Sequence, residues 1–64
     1  MKREYTMITT LANGTTLAPV TRKSEEAMSN YANRMFAKYG EEITVDVYCE
    51  TSMGDFFLYT TYHA

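Results

Sequence analysis

Cys49, His63, three serines and eight carboxylates are the side chains of this 64-residue sequence with the chemistry of a nucleophile, base, acid or metal ligand. A thiol acts as a nucleophile only beside an activating base. The one imidazole, His63, stands one residue from the last, where chains fray. Cys49 falls instead in an alternating apolar run and reads as a buried structural residue, the common fate of unpaired cysteine. Ser24, Ser29 and Ser52 lack the strand-turn-helix elbow of a nucleophilic serine. One Cys and one His are too few for a structural zinc. Asp46, Glu50 and Asp55 could converge across a hairpin, but no Asp-x-Asp-x-Asp run supplies the oxygens that calcium takes. Glu41 and Glu42 are adjacent, so in extended chain they point to opposite faces rather than forming an acid and base pair. Gly14, Gly40 and Gly54 stand singly and serve turns, not phosphates. The expectation is a non-enzymatic protein with no catalytic or metal-ligating residues and no cofactor.

The elements that must carry any other function are easier to read. Met28, Tyr31, Ala32, Met35, Phe36 and Tyr39 recur at helical spacing, with Glu26, Ser29, Asn30, Asn33, Arg34 and Lys38 on the opposite face, which predicts an amphipathic helix over residues 24–39. Ser24 caps its start, Thr21 being the rival, Glu25 and Glu26 oppose the dipole, and Gly40 stops it. Residues 5–12 alternate, with Tyr5, Met7, Thr9 and Leu11 on one face. Asn13-Gly14 then predicts a type I′ turn into a weaker strand over 15–20, which is an edge strand or ends at Pro19, a residue with no N–H. Two registers stay open there: Met7 opposite Val20 with Leu11 opposite Thr16, or Leu11 opposite Leu17 with Ile8 opposite Val20. Ile43, Val45, Val47 and Cys49 alternate with Thr44, Asp46, Tyr48 and Glu50 in a clear strand, and Thr51–Asp55 loops into a last strand over 56–62. The expected register sets Cys49 opposite Phe56, Val47 opposite Leu58, Val45 opposite Thr60 and Ile43 opposite Tyr62. The order is β-β-α-β-β, an α+β domain with a four-stranded antiparallel sheet and one helix on one face, filling residues 1–64.

One helix covers one sheet face, so the other meets water or a partner. In the expected register that open face gathers Tyr48, Phe57 and Tyr59, rimmed by Asp46 and Glu50. A cluster of rings, rather than scattered ones, marks a contact surface. A domain this small draws little stability from its own core, so a second copy on that face would add what the monomer lacks, and a homodimer is one form the interaction takes.

Composition bounds the class. Leu, Ile, Val and Phe total only 11 residues, yet six Tyr and five Met restore the missing bulk, and a net charge of −2 is too small to hold the chain open. No apolar run reaches the ~18 residues of a membrane span, and Met1-Lys2-Arg3-Glu4-Tyr5 leads into no signal-peptide stretch. A single cysteine fits the reducing cytosol, so a cytoplasmic protein is expected. Residues 1–23 carry four cations against Glu4, a balance of +3, while residues 24–64 hold Arg34 and Lys38 against seven carboxylates, a balance of −5. Such two-sidedness steers a basic partner toward Glu26, Asp46 and Glu50. By size and charge alone the chain is similar to small acidic proteins that phages and mobile elements use to block host nucleic-acid enzymes. The leading expectation is therefore a protein-interaction module, an inhibitor of such an enzyme in its sharpest form, acting through Tyr48, Phe57, Tyr59, Glu26, Asp46 and Glu50. The competing class is a single-strand nucleic-acid binder that stacks bases on the open aromatics, against which the acidic rim argues.

Overall fold

The computed structural model describes residues 4–63, and in it the alternating and helical patterns resolve into five elements. They are β1 (Tyr5–Thr10), β2 (Val20–Arg22), α1 (Glu25–Tyr39), β3 (Thr44–Glu50) and β4 (Phe56–His63). The four strands form one antiparallel sheet in the order β2-β1-β3-β4 with a single helix, an α+β fold in the expected β-β-α-β-β order.

The helix starts and stops for the reasons its sequence states. Ser24 is extended, and its hydroxyl accepts from the Ala27 N–H at 3.1 Å, while Glu25 and Glu26 occupy the positive end of the dipole. At the other end Gly40 takes φ 94° and its N–H donates to the Phe36 carbonyl at 2.9 Å. Met28, Tyr31, Ala32 and Met35 are buried beneath it, against Tyr5 and Met7 of β1 and Val45, Val47 and Cys49 of β3, with Ile43 closing the end. Leu11, Leu17, Val20, Phe36 and Tyr62 pack around that core.

Both hairpins turn by the same device, which departs from the type I′ turn expected at Asn13-Gly14. That turn requires positive φ at both residues, yet Gly14 (φ 89°) has it and Asn13 does not. Gly14 N–H donates to the Leu11 carbonyl at 2.9 Å and Leu11 N–H to the Thr15 carbonyl at 2.8 Å, enclosing a three-residue connection. The Thr51–Asp55 loop repeats it: Gly54 (φ 90°) donates to Thr51 at 3.0 Å and Thr51 to Asp55 at 2.7 Å.

The first hairpin satisfies neither expected register throughout. Met7 does face Val20, but Thr10 faces Thr16 and Leu17 N–H donates to the Thr9 carbonyl at 2.9 Å, so one extra residue is taken up between Leu17 and Val20. Pro19 lies in that stretch and has no N–H for the ladder. The strand expected over 15–20 is consequently reduced to one bridge, and regular pairing resumes only at Val20–Arg22.

Candidate functional site

The one thiol and the one imidazole lie apart. Cys49 is buried and opposes Phe57, whereas His63 opposes Thr44 at the far end of β3. Five residues of strand separate the two positions, roughly 17 Å at the usual rise. Among the described residues, no group of three or more His, Cys, Asp and Glu could hold a metal ion.

The exposed surface of β4 is where the structure concentrates unusual chemistry. Met53 in the turn is 88% exposed, and Phe56, Phe57 and Leu58 are 61, 45 and 54% exposed. At ~150–250 Å² for a large side chain, that is roughly 400–600 Å² of apolar surface at one end of a hairpin, divided between the two faces of the sheet.

Which faces these residues occupy differs from the expectation, because the register differs. Cys49 pairs with Phe57 and Glu50 with Phe56, one residue off the expected alignment, and a bulge between Val47 and Tyr48 makes the far half, from Val47–Thr60 to Thr44–His63, two residues off. A one-residue slip moves every side chain to the opposite face. Phe57 therefore shares the helix side with Cys49. Tyr59, the extra residue of the bulge, also turns to that side: its ring tilts against Tyr5 at 5.2 Å, and its hydroxyl donates to Glu25 Oε1 of the helix at 2.7 Å. That bond and the carboxylate's charge push the Tyr59 pKa up from 10.0 to about 12. The expected trio of Tyr48, Phe57 and Tyr59 is thus split, with Tyr48 alone of the three on the open face.

Leu58 and Phe56 take the places that Phe57 and Tyr59 were expected to fill. On the open face Tyr48 stands between Thr6 of β1 and Leu58 of β4, with half-buried Ile8 and exposed Phe56 on its diagonals. Sequence reasoning passed over both, although the signal was present: in Thr51–Asp55 Gly54 follows Met53, which is unsuited to positive φ, and a Gly so placed marks a three-residue connection that sets the pairing next to the turn.

The acidic residues are also divided. Asp46 and Glu50 lie on the open face of β3, where Asp46 accepts from the Thr61 hydroxyl at 2.9 Å. Glu26 sits exposed on the helix, in the other layer of the domain. Two acids instead gather at the hairpin tip: Asp55 is exposed next to Phe56, and the Glu50 carboxylate reaches to 4.0 Å from where a Cβ on Gly54 would stand.

On the helix side, Glu25 and Ser29 of α1 face Tyr59, Thr60 and Tyr62 across a shallow open trough. The helix packs most closely on β1 and β2, so this trough marks where its cover ends. No helix of the described residues is long and apolar enough to cross a membrane. Comparison with family models, curated proteins and solved structures gives no match to this chain.

Proposed function

We propose that this chain is a non-enzymatic protein-interaction module that docks through the β3–β4 hairpin. One observation carries the reading: Met53, Phe56, Phe57 and Leu58 stand exposed together on an outer strand, where a core of ten buried residues makes no use of them. Clusters of exposed apolar side chains, rimmed by polar groups, are characteristic of contact surfaces. The rim here is Glu50, Asp55 and Asp46, and residues 41–63 contain five carboxylates and no Lys or Arg. Phosphates would be repelled from such a rim, so the partner class is protein rather than nucleic acid. An inhibitor of a nucleic-acid enzyme is the sharper form of the reading, in which the acidic hairpin occupies a basic groove and competes for it.

Site-specific photo-cross-linking tests this. A photoreactive residue at Leu58 in the source cell is expected to give one discrete protein adduct, absent when the probe is moved to Asn33 on the outer face of α1. Substituting Phe56 and Phe57 by Ser should abolish the adduct. The same adduct from Asn33, or none from Leu58, overturns the reading, and an adduct to nucleic acid would favour the base-stacking alternative.

A further inference from the structure

We propose that β4 accepts an extended, cationic segment of its partner as a fifth strand, paired beside Phe56–Leu58 and held by Glu50 and Asp55. The inference rests on the docking face proposed above and adds the mode of binding and the partner's chemistry.

The two edges of the sheet are unequal. β2 is three residues long, follows Pro19, and carries Arg22, whose guanidinium is fixed 5.0 Å from the Tyr31 ring centroid. Short length, proline and charge are the devices by which edge strands avoid pairing with other chains. β4 is eight residues long and contains no Pro, Lys, Arg, Asp or Glu. Its single irregularity, the bulge at Tyr59, leaves Phe56–Leu58 as a regular segment at the tip. Beyond that bulge the edge has no guard, and it presents backbone donors and acceptors to an extended chain.

Charge selects which chain. A second copy brought edge to edge would set Glu50 and Asp55 against the same residues, on a hairpin that holds three carboxylates and no Lys or Arg. A segment alternating Lys or Arg with apolar residues meets the opposite situation. On the open face its cations reach Glu50 along the apolar stems that lie over Phe56 and Leu58, Asp55 adds negative charge at the tip, and its apolar residues cover Phe57 on the helix side.

The test uses the whole isotopically labelled chain and a capped octapeptide alternating Lys and Val. Two comparators accompany it: the same peptide with Glu for Lys, and one of identical charge with a central Pro that cannot pair. The Lys-Val peptide is expected to slow hydrogen exchange at one or more amides of Phe56–Leu58. Its affinity should exceed that of both comparators at least tenfold, and should fall at least tenfold in E50K/D55K, whose substitutions are at exposed positions and leave the circular dichroism unchanged. Equal binding of the Glu peptide removes the charge argument. Equal binding of the Pro peptide, or shifts confined to α1, removes the added strand. Protection of Phe56–Leu58 that rises with protein concentration in the absence of peptide assigns the edge to a second copy and overturns the proposal. No binding by the Lys-Val peptide overturns it too; if the Leu58 cross-link still forms, the docking face stands without it.

Discussion

Replacing Thr9 by Val should make this protein more stable. Thr9 lies on β1, a central strand, opposite Val45, and is 1% exposed. Its Oγ1 is buried and finds no hydrogen-bond partner among the described residues. A buried hydroxyl left unpaired costs about 1–3 kcal/mol relative to water. Val puts a methyl group where the hydroxyl was, keeps the β-branch, and suits a strand at least as well. The expected gain is about 1–2 kcal/mol, which in a domain of this size raises Tm by roughly 4–15 °C. Thr9→Ser separates the two halves of the side chain: it keeps the unpaired oxygen and loses a buried methyl, so it should cost about 1 kcal/mol or more. Urea unfolding measures both, with a constant m-value required so that the midpoints report stability alone. Thr9→Val at or below wild-type stability, with m unchanged, refutes the reasoning by showing that the hydroxyl is satisfied in solution. The docking hairpin is untouched, so the variant should retain the Leu58 cross-link.

Three further outcomes are expected. Ser24→Ala removes the oxygen that accepts from Ala27 N–H and should cost about 1 kcal/mol in urea unfolding, while Ser24→Asp retains the cap. Gly14→Ala meets no atom within 4 Å, so its cost is purely conformational, about 1–2 kcal/mol for an L-residue at φ 89°, and Gly14→Asn should lose less. Tyr59 should titrate near pH 12 by phenolate absorbance, and Glu25→Gln should lower that value. Because the folded pKa is raised, the folded state holds the proton longer: the stabilisation is complete below pH 10 and is lost as pH rises from 10 to 12. A Tyr59 midpoint that Glu25→Gln leaves unmoved would disconnect the two groups.

Elements whose evidence is periodic were legible in the sequence, and their relative alignment was not. The apolar stripe of α1 with Ser24 and Gly40 at its ends, and the alternation Ile43-Val45-Val47-Cys49, each repeat a signal over several residues, so one ambiguous position does not erase it. Register is an integer set at the turn and reset at each irregularity along the strands. Asn13-Gly14 satisfies two turn types, and the choice rests on whether Asn13 takes positive φ, to which its neighbours give no clue. In the second hairpin the loop places Phe57 rather than Phe56 against Cys49, and the bulge then places Tyr59 on the helix side. No residue type betrays that bulge, because Tyr59 sits in a run of residues that all favour strands. The candidate site moved accordingly from Tyr48, Phe57 and Tyr59 to Phe56, Phe57 and Leu58.

The exposed strand follows from the width of a helix. A helix with its side chains is about 10 Å across, and strands lie about 4.8 Å apart, so one helix shields roughly two strand intervals of a four-stranded sheet. The link from β2 to α1 is only Lys23 and Ser24, which ties the start of the helix to the β2 side and leaves β4 with less cover than β1 and β3. The residues of β4 on the helix side are suited to a half-wet place. Tyr59, Thr60 and Tyr62 each pair an apolar body with a hydroxyl, and the Tyr59 hydroxyl reaches Glu25 across the gap. Had stability alone shaped this strand, the same logic would extend to its tip, and Thr or Arg would serve there as well as they do on β2. Phe56, Phe57 and Leu58 break the pattern at the end farthest from the helix's shelter, beside Glu50 and Asp55. A partner that buries them is the condition under which those three residues contribute more than polar ones would.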